Sequence, residues 1–563
     1  MSQQMPKTDV VIIGMGAAGG TAAYALTAAG YEVVGIEAGP RMDVSDFNAK
    51  LDELGTYEYR NWMGESKVNH EDPTYRASEG EEAGPLPPGQ IRMMNAVGGT
   101  SIHWGAQAWR LNEDEFTVRS STVERYGEEA IPENAALEDW GITYDELEPY
   151  YDQAEWLFGI AGDGSANPHA APRSRDYPMP PAQPFGPGEL LRGTMAELGY
   201  NPFPIPSGFN TEAYDDRPAC SYCGMCSGFG CWNKSKVSAD VTVIPKAEAT
   251  GLLEIRTNSR VLRVVTDENG RATGVDYLDE LGALRHQPAS IVIVATYTYE
   301  NTRLLLTSAN EDFPNGLANN NDQVGRYFMT HSFAGAQGYF PDLPNHNKWA
   351  GSPGQGIAID DLNGDNFDHT DLGFIRGAFI SVASGGTPIA AAKAVPPSVP
   401  RWGAEYKRWL HDNPGTILGL TALVDVLPYE TNRLDLDPVK TDPQGVPVVR
   451  ITYDIHENEI AMTDHLREKM EEILVAAGAT ESWTFGPAPM PLFSHAYGGT
   501  RMGEDPAKSV VNKYGITHEV PNLMVLGAST FGTSSGYNPT ETVFAHSLYA
   551  IDHLVNNWEA ITQ

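Results

Sequence analysis

The chain has 563 residues, of which 41% are apolar, with 57 glycines and 40 prolines, and this describes a loop-rich globular protein of more than one domain rather than a disordered one. Its 74 acidic residues against 38 basic ones leave a net charge of -36, which argues against nucleic acid or an anionic membrane surface as a partner. The charge reads as a solvated acidic coat suited to high salt, or as steering of a basic partner. No run of about 18 apolar residues marks a membrane span. The first predicted strand begins within about nine residues, leaving no room for a signal peptide, so a cytoplasmic location is expected.

The stretch Asp9 to Gly39 reads as strand, helix, strand. Val10 to Ile13 form a short β-branched run, followed by Gly14, Gly16 and Gly19 in the G-x-G-x-x-G spacing. Gly14 permits the tight turn, Gly16 lets the backbone approach a pyrophosphate, and Gly19 lets the helix pack closely on its strand. Ala17 and Ala18 open a helix of small residues whose N-terminal N–H groups suit a diphosphate. Val33 to Ile36 give the second strand, ending at Glu37-Ala38. An acid there can accept from both hydroxyls of an adenosine ribose and repels a 2'-phosphate. The stretch predicts an α/β, Rossmann-like nucleotide domain and leaves NAD and FAD both open.

Pro40 to Gly89 is a polar loop region without a clear period. In MMNAVGGTSIHWGAQAWR, from Met93, Gly98, Gly99, Thr100 and Ser101 make a second glycine-rich turn, followed by His103-Trp104. Such a turn can lie against a phosphate or the edge of a ring system, or be an ordinary tight turn with a packed tryptophan. The first cradle together with VGGTSIHWGA resembles the glucose-methanol-choline (GMC) oxidoreductases. That resemblance implies FAD, with a Rossmann-like FAD-binding domain and a discontinuous substrate-binding domain on an antiparallel or mixed sheet. In some relatives a histidine matching His103 carries the flavin covalently, so a histidyl link and a noncovalent contact are both open there.

Residues 111 to 205 are acidic and then proline-rich, and predict an irregular excursion that wraps over a surface. Cys220, Cys223, Cys226 and Cys231, the only cysteines, follow as C-x2-C-x2-C-x4-C. Four thiols so close, with Gly224, Gly228 and Gly230 between them, suit a metal-sulfur site, iron-sulfur before zinc, with two local disulfides as the alternative. The run R-P-x-C-x-Y-C-G-x-C in a GMC-like chain resembles the large subunits of bacterial gluconate, fructose, sorbitol and glucose dehydrogenases. The resemblance implies a 3Fe-4S or 4Fe-4S cluster, a small subunit and a cytochrome c acceptor. It also implies a partner with a twin-arginine signal that could carry this chain to the periplasm.

Val261 to Thr266, a turn at Asn269-Gly270, Ala272 to Leu278, a turn at Leu281-Gly282 and the buried run Ile291 to Ala295 read as a meander feeding the central sheet. In GMC relatives this region, from Val261, flanks the adenine; where they commonly have a glycine after the last strand, this chain has Thr296 and Tyr297. Asn301 to Ser308 looks helical, and His331 either lines the active site or is a packed histidine. Leu418 to Leu427 and Val448 to Tyr453 read as strands, and Ile460, Met462, Leu466, Met470, Ile473 and Leu474 as the apolar side of a helix ending at Gly478.

Near the C-terminus, His495-Ala-Tyr-Gly498-Gly499 and Gly536-Tyr-Asn538-Pro539-Thr540 flank a predicted buried strand, Asn522 to Ser529. In this order they resemble the H-x-x-G-G and G-x-N-P-T segments of GMC enzymes, which implies that His495 and Asn538 face the flavin, with Ala528, Ser529, Pro539 and Thr540 beside it. A neutral imidazole near its ordinary pKa of about 6.5 can take a hydroxyl proton, and an amide can only orient the oxygen. The expected organisation is an FAD-binding domain in three parts, 1–110, 206–330 and 491–563, with the excursion at 111–205 and a substrate-binding domain at 331–490. The leading expectation is a dehydrogenase of sugars, polyols or sugar acids with an iron-sulfur relay. The alternatives are a pyranose-oxidase-like enzyme using oxygen or quinones directly, with the cysteine loop structural, and a flavin-bearing scaffold.

Overall fold

Thr8–Ile13 (β1) and Val33–Ile36 (β2) pair in parallel, Val10 opposite Val33, with the helix Ala17–Ala28 (α1) crossing between them. Both strands are almost wholly buried, because a parallel sheet is covered on its two faces and needs apolar side chains pointing both ways. The computed structural model describes residues 3–48, 53, 71–86, 93–343, 349–383, 388–485 and 494–563. About half of the polar loop expected at Pro40 to Gly89, and the boundary expected at 490/491, lie outside the described residues.

Leu284–Val294 (β3) joins two kinds of sheet. Its first half runs antiparallel to Ala272–Leu278, with Leu284 opposite Leu278, and its burial is mixed. Its second half runs parallel to β1 and to Leu523–Val525, with Val292 opposite Val11 and Leu523. There Ile291 to Val294 are all buried. Mixed burial marks a partly wetted sheet and an unbroken apolar run marks one covered on both sides. The run expected from Ile291 is therefore the inner end of an 11-residue strand. The turns at Asn269-Gly270 and Leu281-Gly282 fall where the sequence puts them, with φ +73° at Gly270 and +75° at Gly282.

A second, six-stranded antiparallel sheet pairs Ser332–Tyr339 (β4) with Ile417–Val424 (β5) along their whole length, Ser332 opposite Val424. Alternation sorts its side chains. Ala334, Ala336, Leu418, Leu420, Ala422 and Val424 pack on Glu457–Ala476 (α2), against Met462, Leu466, Met470, Ile473 and Leu474. Phe333, Thr421 and Leu423 face the other way and line a cavity. Ile460, expected with the apolar side of the helix, is 46% exposed: two residues from Met462 is about 200° round an α-helix.

The proline-rich excursion is more regular than expected, with helices at Val118–Tyr126, Tyr144–Phe158 and Gly186–Glu197. The second holds Pro149, at the cost of one backbone hydrogen bond. A capping box between Thr143 and Glu146 fixes its start. Packing on the C-terminal helix Thr540–Asn556 (α3) holds the rest, with Phe158 stacked on Phe544 at 3.9 Å and the Tyr151 and Thr542 hydroxyls bonded at 2.7 Å. Among the described residues no helix is long and apolar enough to cross a membrane.

Candidate active site

A cavity of about 440 Å³ draws its walls from both sheets. One end is the turn after β1. Gly14 has φ +88°, and a Cβ on it would stand 2.6 Å from the Ala295 carbonyl oxygen. A Cβ on Gly19 would stand 1.9 Å from the Gly14 oxygen, so space as well as conformation demands glycine in this turn. Gly14, Gly16, Ala17 and Ala18 line the cavity, whereas Gly19 lies behind it as packing. No acid occupies the first turn of α1, so its N-terminal dipole is left for a ligand.

Gly99 presses on Gly16 so closely that a Cβ on Gly99 would lie 2.9 Å from the Gly16 Cα, which joins the two glycine-rich turns. Thr100, Ser101, His103 and Trp104 continue this wall. Gly98 stands outside it at φ +102°, backed by Asp240. The Ser101 hydroxyl holds the turn by donating to the Gly98 oxygen at 2.6 Å, and the Trp104 indole donates to the Val237 oxygen at 2.6 Å. Glu37, Ala38, Val261 and Ala528 also line the cavity. Ser529 does not, its hydroxyl being bonded to Asn301 and Thr500.

At the other end, Ala496–Tyr497 pairs with Met329–Thr330, Met329 opposite Tyr497, and this two-strand ladder sets His495 beside His331. The two rings are nearly perpendicular, and their Nδ1 atoms are 2.8 Å apart. His331 Nε2 is 2.6 Å from the Ser535 carbonyl oxygen. Burial holds His331 down at about 4, so it is neutral near pH 7. Asn538 Nδ2 is 3.4 Å from His495 Nε2, and Asn538 Oδ1 accepts from Trp109 Nε1 at 3.0 Å. Pro539 starts α3, and His495, Asn538, Pro539 and Thr540 all line the cavity. Trp109 escaped the sequence reading: one tryptophan in AQAWR gives no sign that it reaches 429 positions along the chain to Asn538.

Residues 193–333 and 428–547 match the two parts of the GMC oxidoreductase family model. Over 97% of its length the chain is 33% identical to the gluconate 2-dehydrogenase flavoprotein of Pantoea cypripedii, 93% of which is covered. The chain belongs to the GMC oxidoreductase family. It is also 30% identical to the fructose dehydrogenase large subunit of Gluconobacter japonicus, with 99% of each chain covered. The fold is shared with pyridoxine 4-oxidase from Mesorbium loti at a TM-score of 0.61 and 16% identity, over 97% of this chain and 99% of that one. As a GMC oxidoreductase it is an FAD-dependent enzyme acting on CH–OH donors.

The residues present fit FAD. The cradle would be filled by any Cβ at Gly14 or Gly99, and the N-terminus of α1 opens onto the cavity beside it. Glu37 directly follows β2, with Oε2 accepting from Met15 N at 2.9 Å and Oε1 from Gly39 N at 3.0 Å; each carboxylate oxygen keeps a second lone pair for a ribose hydroxyl. Burial pushes Glu37 up to about 7 from an ordinary 4.5. Its folded value exceeds its unfolded one, so its contribution to stability is complete below about pH 4.5 and is lost as the pH rises through about 7. In flavin-free protein, Glu37→Gln is expected to flatten this stretch of the stability curve, read by urea unfolding at each pH. An unchanged pH slope would reject the assignment.

The cysteine loop departs from expectation. Cys226 Sγ accepts from the Ser352 hydroxyl at 3.1 Å, Cys231 Sγ from Lys236 N at 3.4 Å, and Cys220 Sγ from Tyr222 N at 3.4 Å. Cys223 is exposed, and all four thiols are free. Among the described residues no group of three or more His, Cys, Asp or Glu side chains could hold a metal ion. The thiols as placed do not fit a cluster, and the two-disulfide alternative is not formed. Burial raises Cys226 and pushes Cys220 up to about 12. Lys236, 2% exposed, organises the loop instead, donating to the carbonyls of Trp104, Cys226 and Phe229. Ser227 of this loop lines the cavity.

Proposed function

We propose that the chain oxidises an alcohol carbon of a sugar, polyol or sugar acid, with His495 as the base and Asn538 as the group that orients the substrate oxygen. The observation that carries this reading is the approach of Asn538 Nδ2 to His495 Nε2, at 3.4 Å, in the wall of the cavity that the glycine cradle also lines. Bound FAD supplies the acceptor for the hydride that leaves the alcohol carbon. His495 takes the hydroxyl proton as that hydride departs, and the Asn538 amide donates to the developing alkoxide. Phe333, Phe379 and Leu423 exclude water, while Ser381 and Thr421 offer hydroxyls to further hydroxyls of a polyol. His103 lines the cavity where a histidyl link to the flavin would form. A yellow pellet after acid precipitation would establish the link, and a yellow supernatant a noncovalent contact.

A second reading, favoured by the lack among the described residues of a side-chain group that could hold a metal ion, sends electrons directly to oxygen or a quinone with the cysteine loop structural. Anaerobic titration of purified protein with sugars, polyols and aldonates, followed by iron and acid-labile sulfide analysis, tests both. The expected result is bleaching of the flavin by a polyhydroxy substrate. Failure of every such compound to bleach it would reject the function. Iron and sulfide in a stoichiometric ratio to flavin would show the loop refolded around a cluster and restore a one-electron relay to a small subunit and cytochrome c. Active, iron-free protein that forms hydrogen peroxide would establish the second reading.

A further inference from the structure

The reach of Asn538 to His495 does not say which nitrogen of His495 carries the proton, and only a bare Nε2 can act as a base toward the cavity. We infer that His331 and Trp109 are positioning residues that set this tautomer from two sides, which deepens the proposed role of His495 and rests on it. On the first side the chain of bonds ends on a group that can only accept. The Ser535 carbonyl lies 2.6 Å from His331 Nε2, so Nε2 carries the hydrogen. The His331 ring is neutral, which leaves its Nδ1 bare. At 2.8 Å, His495 Nδ1 must then be the donor between the two rings. A neutral His495 with its proton on Nδ1 has Nε2 bare.

The second side ends on a group that can only donate. Trp109 Nε1 donates to Asn538 Oδ1 at 3.0 Å, which turns the Asn538 amino group toward His495 Nε2. An amino group next to Nε2 favours the same bare nitrogen. Trp109 is itself fixed, buried and stacked on Tyr537 at 5.2 Å. The two chains share no residue except His495 and reach the same assignment.

The surroundings keep the acquired proton on His495. The Tyr497 hydroxyl lies 3.3 Å from His331 Nε2 and donates to the Tyr537 carbonyl, so its oxygen can share the His331 hydrogen. Asp425 acts on His331 through its charge, and that charge is engaged by Arg376 Nε at 2.9 Å and by the Ser534 hydroxyl. The Tyr297 hydroxyl donates to the Ser494 carbonyl at 2.9 Å, bracing the residue before His495. His331 is therefore a poor proton acceptor that still accepts a hydrogen bond from a His495 imidazolium, stabilising the cation without taking its proton.

Ring-15N-histidine-labelled holoenzyme, with the His495 signals assigned by their loss in His495→Gln, tests the tautomer directly. A protonated Nδ1 and a bare Nε2 are expected; the opposite pattern overturns the inference even if the enzyme oxidises alcohols, and the measurement stands even if it does not. Stopped-flow flavin reduction across pH supplies the second readout. His331→Leu should lower the rate at least about 10-fold, since a wrong tautomer can cost far more, and should move the alkaline-rising limb to lower pH because the imidazolium loses its acceptor. His331→Asn, whose amide oxygen can replace Nδ1, should keep the limb in place. Trp109→Phe should lower the rate with little change in substrate affinity. Unchanged rates and limb in both His331→Leu and Trp109→Phe would overturn the inference, and the wild-type spectrum decides it if either variant fails to fold.

Discussion

His495→Ala is expected to slow anaerobic reduction of the flavin by substrate at least about 100-fold, the scale of a lost general base, with the FAD content of the purified protein unchanged. The two halves of this expectation come from different parts of the molecule. The proposed site assigns FAD retention to the glycine cradle and Glu37 at one end of the cavity. It assigns proton removal to the imidazole at the other end, where Asn538 Nδ2 stands 3.4 Å from Nε2. An amide cannot take a proton, so Asn538→Ala should cost less, through loss of orientation and of a donor to the alkoxide. His495→Ala with unaltered reduction kinetics would remove the imidazole from the chemistry. Loss of flavin in that variant would show instead that His495 serves binding.

Local pattern made much of this legible. The β1–α1–β2 cradle is contiguous in sequence, and two of its glycines answer to steric demands close at hand: Gly19 to Gly14 and Ile12, and Gly14 to Ala295 at the end of the strand beside it. His495 and Asn538 were readable as a pair only through the order of two C-terminal motifs, since 43 positions separate them. Trp109 and His331 were not readable as positioning residues. Trp109 meets Asn538 across 429 positions and His331 meets His495 across 164, and no periodicity carries such distances. Ile460 misled because an apolar residue two places from a helical stripe looks like part of it in sequence but stands on the far face. The cysteine spacing shows which sulfurs are close along the chain but not what organises their loop, whose carbonyls wrap the buried Lys236.

Gly19→Ala is expected to give protein that unfolds at lower temperature and is purified largely without FAD. The added Cβ would stand 1.9 Å from the Gly14 carbonyl oxygen, 3.1 Å from its carbon and 3.2 Å from Ile12 Cγ2. The first two are backbone atoms of the cradle, so no rotamer change relieves the clash. The helix α1 cannot simply withdraw, because Gly20 on its next position already has Ala239 and Ile244 where a Cβ would be, at 3.0 and 3.1 Å. Overpacking of this kind costs about 1–3 kcal/mol or more, and any shift of α1 also moves its N-terminal N–H groups away from a diphosphate. Gly30→Ala is the control. Gly30 has φ +94° but nothing within 4 Å of its would-be Cβ, so it carries the backbone penalty of about 1–3 kcal/mol alone and should keep its flavin. Flavin-to-protein absorbance ratios and thermal unfolding of the two variants separate crowding in the cradle from conformational cost. A Gly19→Ala protein as yellow and as stable as the wild type would show that the turn has slack that the packing around Gly14 denies.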